Sequence, residues 1–501
     1  MGRKNKTKNN VSDKHNGLSK SQKRELTDII CQLLEICRKP STGGPKDWDE
    51  YLEIHDCVEK IRKYQEGHTL PSYERDEHVE SFMAWIGNNV TSDSVKIRRF
   101  GNGGDGLQAT RDLPCQSLFL TIPRKVMMTT ESAQLSSLGA LIPQDNILKV
   151  MPNVVLALHV LCEQANPDSF WLPYIKILPN TFSTPLYFSP EELQLLKGSQ
   201  AFYEALSQYK NIARQYAYFH KLFQSNPTAK MLPIHTNFCY DDYRRAVSVV
   251  MTRQNQIPSC EDHQMINALI PLWDMCNHSN GQFTTDFSLE KDCSECYALQ
   301  DYKEGDQIYI FYGNRSNSEF LIHSGFVYPD NEHDRLPLKL GIAKSDQLFL
   351  LKSAILNKCG IPVSHTFDLV TGPNPVKKEL LIFLRILCMK EDDLKLCEDK
   401  NAIDLVEDLG SLHSSYSKED DMKMWSYLET RAALLARSYP TDIECDQARL
   451  AGSDLSECGR LAVQLVLGEK TILKNTTRFA AEQKLKLAEV IPGMEQQGGG
   501  E

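Results

Sequence analysis

The chain has 501 residues, a formal net charge of −10 and a hydrophobic content of 41%. A chain of this length has room for two or three domains with cores of ordinary size. The negative charge argues against direct nucleic-acid binding, and no apolar run reaches the roughly 18 residues that a membrane-spanning helix needs.

Fifteen cysteines are scattered along the chain, several of them in apolar stretches. An odd number of dispersed cysteines indicates buried free thiols in a reducing compartment and not a disulfide framework. Cys293 and Cys296 form an isolated C-x-x-C pair with no second pair at zinc-finger spacing, so we predict no metal site. Residues 1–7 lack the apolar segment of a signal peptide. We therefore expect a cytoplasmic protein that can also be nuclear.

The first 93 residues predict a tail followed by helices. Residues 1–20 are polar and basic, which favours a disordered tail. Apolar residues at helical spacing predict a helix from Ser21, a second helix over about 47–66 and a third near Glu77. We assign residues 21–93 to an N-terminal helical segment.

Residues 94–314 combine strand and helix patterns. Short β-rich runs at 95–100 and 118–128, joined by Gly and Pro turns, predict a small β domain. Residues 131–253 then show helical spacing, and strands resume at about 281–312. This order predicts a β domain with a helical insertion.

The remainder of the chain is predicted to be helical. Apolar periodicity indicates helices at 348–357, 376–389, 422–436 and 457–473. We expect a C-terminal helical domain over 315–485 and a flexible Gly-rich tail over 486–501. The fold class is therefore α+β.

The glycine cluster Gly101-x-Gly103-x-x-Gly106 matches a dinucleotide-binding pattern, G-x-G-x-x-G. That pattern needs a helix to open at the third glycine, whereas residues 107–115 include Pro114 and lead into another strand. A dinucleotide site is therefore excluded. Two interpretations remain: a hairpin loop whose bare main chain lies against a ligand, or a flexible hairpin tip.

Polar residues interrupt the apolar stretch that begins at Ile270. Asp274, Asn277 and His278 offer hydrogen-bonding groups that cannot lie in a dry core without partners. Residues 307–313 then form a β-branched and aromatic run that carries Tyr312 and closes at a glycine, which predicts a buried strand. Each piece alone also suits a satisfied turn or an ordinary core tyrosine.

The order of these pieces resembles the SET-domain methyltransferases. It is most similar to the branch with a split SET domain, built from short β-sheets and a pseudoknot, and a C-terminal substrate-binding domain like that of the Rubisco lysine methyltransferase. The segments 209–218, 250–258, 269–278 and 307–313 further resemble members that methylate a histidine of actin. The resemblance spans about residues 20–480.

The resemblance implies S-adenosylmethionine as the cofactor. Its main-chain contacts would come from Gly103, Gly104 and Asp105. Asp105 stands where the family usually has an aromatic side chain, which argues against ring stacking on the adenine there. The family positions that hold the cofactor carboxylate correspond to Arg75 and Arg253, and an arginine fork suits a carboxylate. The remaining implied cofactor contacts are Asp274, Met275, Cys276, Asn277, His278 and Ser324.

The resemblance also implies the catalytic and substrate-binding residues. Tyr312 would lie beside the transferring methyl group, and Asn255 would orient the target imidazole. Trp273 and Arg315 would line the substrate groove. Without the resemblance, Asn255 reads as a turn residue after a helix, and Arg253 reads as a charge that favours a helix C-terminus.

The resemblance thus implies a protein-histidine N-methyltransferase that acts on actin, and we expect it to be a monomer. One alternative is a protein-lysine methyltransferase acting on a histone or another protein. The cysteine cluster that histone-type members often carry after the catalytic tyrosine is absent after Tyr312. The other alternative is a catalytically silent peptide-binding module.

Overall fold

The computed structural model describes residues 18–90, 94–101, 104–412 and 416–489. The helices in the first two thirds of the chain are α1 (Lys20–Ile36), α2 (Pro45–Gln65), α3 (Arg75–Gly87), α4 (Thr130–Gln134), α5 (Asn146–Val150), α6 (Pro152–Gln164), α7 (Leu172–Ile177), α8 (Pro190–Gln194), α9 (Gln200–Ser225), α10 (Tyr240–Arg253) and α11 (Asn317–Ser324). The later helices are α12 (Phe349–Lys358), α13 (Lys378–Cys388), α14 (Glu391–Glu398), α15 (Ala402–Gly410), α16 (Lys418–Ala436), α17 (Ile443–Ala451) and α18 (Glu457–Glu489).

The strands are short, and they form four small sheets among the described residues. They are β1 (Val95–Arg99), β2 (Asp105–Ala109), β3 (Leu118–Pro123), β4 (Met128–Thr129), β5 (Asn255–Pro258), β6 (Met265–Leu269), β7 (Asn277–His278), β8 (Thr285–Ser288), β9 (Cys293–Tyr297), β10 (Gln307–Ile310), β11 (Arg335–Gly341) and β12 (Ser364–Val370). The sheet orders are β1-β2-β10-β7, β3-β9-β8, β4-β6-β5 and β11-β12.

The N-terminal helices pack onto the helical insertion. Helix α1 begins at Lys20 because the Ser19 side chain accepts from the N–H of Gln22, whose own side chain bonds back to Ser19. The predicted tail therefore ends earlier than residue 20, and residues 1–17 lie outside the described part of the chain. Tyr51 of α2 packs edge-on against Tyr209 of α9, with ring centroids 5.0 Å apart.

The prediction that strands resume at about 281 is wrong, because the β5–β6 hairpin follows α10 directly. Asn255 pairs with Ala268, and Pro258 pairs with Met265. Strand β5 is an edge strand of its sheet, a position that tolerates Pro258 and leaves Gln256 exposed. These polar and proline residues hide the strand from a search for apolar alternation.

The C-terminal domain is not purely helical, since β11 and β12 form a seven-pair antiparallel ladder within it. Proline is unusual inside a strand, but both strands of a two-stranded sheet have a free edge, which tolerates Pro337 in β11. Helix α11, which follows the predicted boundary at residue 315, packs into the core of the preceding domain. Leu321 and Ile322 of α11 belong to the first hydrophobic core, whereas the second core begins at Leu336.

The long helix α18 joins the two cores. Ala462 and Leu465 pack into the first core, whereas Ile472 and Ala480 pack into the second. The helix continues to Glu489, so residues 486–489 are not part of a flexible tail, and residues 490–501 lie outside the described part. The sequence prediction ended this helix early because polar residues follow Leu473. Two of their hydroxyls donate back to the carbonyl four residues earlier: Thr476 and Thr477.

The described residues contain no disulfide, no membrane-spanning helix and no metal-binding cluster. All fifteen cysteines are free. Within the described ranges no helix is long and apolar enough to cross a bilayer, and no group of three or more His, Cys, Asp or Glu side chains is arranged to hold a metal ion.

Candidate active site

A tight reversal of the chain after β6 positions the first site residues. Leu272 has φ +71°, a left-handed conformation that is unfavourable for a branched residue, and its side chain is fully buried. A short 3-10 turn over Trp273–Met275 follows. Burial of Leu272 holds this conformation. The turn places Trp273 and Asp274 in the walls of the cavities described below.

Tyr312 is fixed at both ends by the segment that follows this turn. Strand β7 pairs in parallel with β10, with Asn277 opposite Tyr309. The main-chain N–H of Tyr312 donates to Nδ1 of His278 (3.2 Å), and its hydroxyl donates to the Cys276 carbonyl (2.6 Å). Burial raises the pKa of Tyr312 above its ordinary value, so the hydroxyl keeps its proton at neutral pH.

His278 is a neutral structural ring in this arrangement. Burial lowers its pKa to about 4. Since Nδ1 accepts from Tyr312, the proton of the neutral ring lies on Nε2, which has no hydrogen-bond partner among the described residues. Five aromatic rings surround it: Phe311, Tyr312, Phe320, Phe326 and Tyr328.

Helix α11 places Ser324 beside Tyr312. Ser316 and Glu319 form a reciprocal cap at its N-terminus. Gly325 ends the helix at φ +79° and donates to the carbonyls of Phe320 and Leu321. A Cβ on Gly325 would lie 3.0 Å from the main-chain nitrogen of Thr184, so glycine is required by space as well as by conformation.

Two cavities meet at Tyr312. The larger, about 700 Å³, is called the Trp273 cleft, and the smaller, about 430 Å³, is called the His278 cavity. The residues that line both are Thr252, Arg253, Asp274, Tyr312 and Ser324. A group bound in one cavity can therefore reach a group bound in the other only beside these side chains.

The His278 cavity carries fixed charge at one end. Nη1 of Arg253 donates to the main-chain carbonyl of Asp274 (2.7 Å) and lies 3.3 Å from its Oδ2. Arg75 forms an ion pair with Asp105, which lines the cavity. Burial and the nearby Arg253 charge lower the pKa of Arg75. Two neighbouring guanidinium groups are better tolerated with an anion between them, so this end suits a carboxylate.

Asp274 is the buried counter-ion of this cluster. Its side chain is 0% exposed, and burial raises its pKa against the opposing effect of Arg253. Oδ2 accepts from the hydroxyl of Tyr174 (2.6 Å), whereas Oδ1 has no partner among the described residues. An unpartnered buried carboxylate oxygen at a cavity wall is a ready acceptor for a ligand or a water molecule.

The Trp273 cleft has an aromatic and amide lining. The indole N–H of Trp273 donates to Oγ1 of Thr285 (2.8 Å), which fixes the ring. Oδ1 of Asn255 accepts from the N–H of Gln256 (2.9 Å), and a carbonyl oxygen of this kind can take a second donor. Arg315 also lines the cleft. The cleft can therefore hold a flat polar ring.

The structure brings most of the predicted site residues together. The predicted cofactor residues that line the His278 cavity are Asp105, Arg253, Asp274, Met275, Asn277, His278 and Ser324. Arg75 stands behind Asp105 and not in the lining, and Cys276 lines the Trp273 cleft. Gly104 adopts φ +70° beside Asp105, and Gly103 lies outside the described residues.

Some residues of the site were not predicted. Phe326 and Tyr328 line the His278 cavity, and the rings of Phe326 and Phe320 stack with centroids 4.7 Å apart. Phe326 can supply the flat apolar surface that Asp105 lacks. Phe326 and Tyr328 follow Gly325 closely in the sequence, and this position was the feature that could have identified them as site residues. Tyr174 lies 100 residues from Asp274 in the sequence, so only the fold reveals that contact.

Two family models match the chain. The SET domain model matches residues 104–313, and the Rubisco LSMT substrate-binding model matches residues 343–473. Among solved structures, the chain resembles Rubisco LSMT bound to AdoMet, with a TM-score of 0.64, 24% identity and coverage of 84% of this chain and 97% of the other. The SET domain of LSMT bound to lysine and AdoHcy gives the same TM-score and identity, with coverage of 83% and 93%. These likenesses establish the fold.

Curated relatives are more similar in sequence. The chain is 47% identical to the actin-histidine N-methyltransferase of Gallus gallus over 487 residues, which cover 97% of this chain and 82% of the relative. It is also 47% identical to the Homo sapiens protein of the same name over 485 residues, which cover 96% and 81%.

Proposed function

The chain belongs to the SET-domain family of actin-histidine N-methyltransferases, and from this membership we propose that it transfers a methyl group from S-adenosylmethionine to a histidine of actin. The observation that carries the proposal is the meeting of two cavities at Tyr312. A donor in one cavity and an acceptor in the other would face each other beside this side chain. Such alignment of two reactants lowers a barrier by about 7 kcal/mol or more.

The His278 cavity suits the cofactor. When bound, S-adenosylmethionine would supply an electrophilic methyl group, which an in-line nucleophile attacks with S-adenosylhomocysteine as the leaving group. Arg253 would hold the amino-acid carboxylate, with Arg75 adding positive charge from behind Asp105, and the ring of Phe326 would pack against the adenine. The Tyr312 hydroxyl, which donates to the Cys276 carbonyl, lies where the two cavities meet, and these two oxygen atoms would orient the methyl group through weak C–H···O contacts.

The Trp273 cleft suits a neutral imidazole. A free histidine is mostly neutral at pH 7, whereas a lysine with a pKa near 10.4 must first lose a proton. The attacking nitrogen needs its lone pair, so the other ring nitrogen must carry the proton. Oδ1 of Asn255 can accept from that N–H and select the tautomer.

The direct test uses the full chain, unmethylated actin and methyl-labelled S-adenosylmethionine, followed by mass spectrometry of the actin peptides. We expect the label on one histidine. Label on a lysine would retain a methyltransferase but overturn the proposed target. Cofactor binding without transfer to actin or to histones would instead support the silent peptide-binding module.

We also propose that the protein works as a monomer in the cytoplasm, with a nuclear fraction as the alternative. The support for a reducing compartment is the set of fifteen free cysteines, many of them buried. Fractionation of cells and light scattering of the purified chain test these two points. Recovery from a secretory compartment, or a dimer mass at micromolar concentration, would overturn them.

A further inference from the structure

Helix α7 contacts Arg75 directly and is linked to Arg253 through Asp274, although it lines neither cavity. Its residue Tyr174 is fully buried, and the hydroxyl donates to Oδ2 of Asp274 (2.6 Å). At the end of the same helix, the carbonyl of Ile177 accepts from Nε of Arg75 (2.5 Å). A six-residue segment of the helical insertion therefore contacts one charged group from α3, Arg75, and one from the turn after β6, Asp274.

The contact with Asp274 is the link that depends on a side chain of α7. Asp274 is buried, and burial disfavours its charged form. The groups that counter this penalty are Arg253, the Tyr174 hydroxyl and, more weakly, the charge of Arg75. Since Oδ1 has no partner among the described residues, the Tyr174 hydroxyl supplies one of few hydrogen bonds to this carboxylate.

The position of Asp274 in turn sets the position of Arg253. Nη1 of Arg253 donates to the main-chain carbonyl of Asp274 and lies close to its carboxylate. Asp274 therefore fixes the guanidinium plane through both its main chain and its side chain. A guanidinium held in this way loses little side-chain freedom when it binds a carboxylate. If Asp274 turned or took up a proton, Arg253 would lose this preorganisation.

We propose that Tyr174 is a positioning residue for the cofactor: through Asp274 it holds Arg253 in the orientation that receives the cofactor's carboxylate. The inference rests on the proposed function for the identity of the cofactor. It does not depend on the methyl acceptor.

Tyr174→Phe removes only the hydroxyl, and its effect can be measured with the full chain. We expect the Kd of S-adenosylmethionine, measured by calorimetry, to rise about tenfold, as is typical when a hydrogen bond to a charged group is lost. The KM for S-adenosylmethionine should rise in parallel, while kcat at saturating cofactor changes by less than about threefold. The matched control is Tyr51→Phe, since the Tyr51 hydroxyl is buried without a hydrogen-bond partner and lies in α2.

A double-mutant cycle separates positioning from a general loss of packing. In an Asp274→Asn background, Tyr174→Phe should have little further effect on the Kd, because the link already lacks its charge. A Kd within twofold of the wild type in Tyr174→Phe would overturn the proposal. So would an equal effect of the two tyrosine substitutions. If Tyr174→Phe fails to fold, Asp274→Asn alone must weaken cofactor binding for the proposal to stand. Binding without methylation of actin would overturn the proposed function and leave this inference intact.

Discussion

At the scale of single residues, the hydroxyl of Tyr312 is the group on which transfer is expected to depend most. It donates to the Cys276 carbonyl, and its ring stands where the Trp273 cleft and the His278 cavity meet. Tyr312→Phe keeps the ring and removes the oxygen, so the methyl group loses an orienting contact. We predict a fall in kcat of about tenfold or more, equivalent to roughly 1.4 kcal/mol, with the Kd of S-adenosylmethionine nearly unchanged.

The measurement is single-turnover transfer to actin, which separates chemistry from product release. Tyr51→Phe again serves as the control for loss of a buried hydroxyl away from the site. A wild-type rate in Tyr312→Phe, or an equal loss of rate and cofactor affinity, would show that the ring acts only in packing.

Sequence reasoning reaches some residues of this site and not others. Asn277, His278 and Tyr312 were recognisable because polar groups interrupt apolar runs in a particular order. The roles of Arg253 and Asn255 came only from resemblance. Tyr174 could not be found, since a buried tyrosine on a short helix has no sequence feature that reveals a carboxylate 100 residues away.

At the scale of elements, the β5–β6 hairpin carries the substrate-side amide. Asn255 is the first residue of β5, and its main chain is paired with Ala268 of β6. Because the strand holds the backbone, Asn255→Ala removes the amide without moving the hairpin. We predict that turnover on actin falls much more than cofactor affinity, since Asn255 lines the Trp273 cleft and not the His278 cavity.

The matched control is Asn267→Ala on β6 of the same hairpin. Asn267 bonds the side chain of Gln254 and is absent from the lining of either cavity. Kinetics with actin and calorimetry with S-adenosylmethionine compare the two variants. The assigned role fails if Asn255→Ala weakens turnover and cofactor binding equally, or if Asn267→Ala reproduces its effect.

The elements themselves were predictable where their periodicity was long and uniform. Helices α2, α12 and α13 were placed within two residues of their observed ends. Among the strands that were missed, β5 and β11 contain a proline, which an edge strand tolerates. Strands β6 and β12 do not alternate between buried and exposed residues along their full length. Pairing across the chain, which the sequence does not display, stabilises them.

At the scale of the whole molecule, a buried carboxyl group joins the two cores. Glu469 of α18 is 4% exposed. It accepts from Oγ of Ser199 (2.8 Å), which caps α9, and from the hydroxyl of Tyr439 (2.9 Å), which follows α16. Burial, assisted by the nearby charges of Asp334 and Glu204, raises the pKa of Glu469 to about 7.

This junction should make stability fall as pH rises from about 5 to 8. Below its unfolded pKa of 4.5, Glu469 is protonated in both states, and between 4.5 and about 7 only the folded state holds the proton. Stability therefore decreases with pH in this window, by up to about 3 kcal/mol if the shift is fully expressed.

Glu469→Gln keeps a neutral amide against two hydroxyls that can donate or accept. The difference in Tm between this variant and the wild type should rise in the variant's favour from pH 5 to pH 8. Glu482→Gln, an exposed carboxylate on the same helix, should show a constant difference. If Glu469→Gln lowers the Tm equally at both pH values, the prediction is wrong. The carboxylate would then be charged in the folded protein and would stabilise the junction between the two cores in that form.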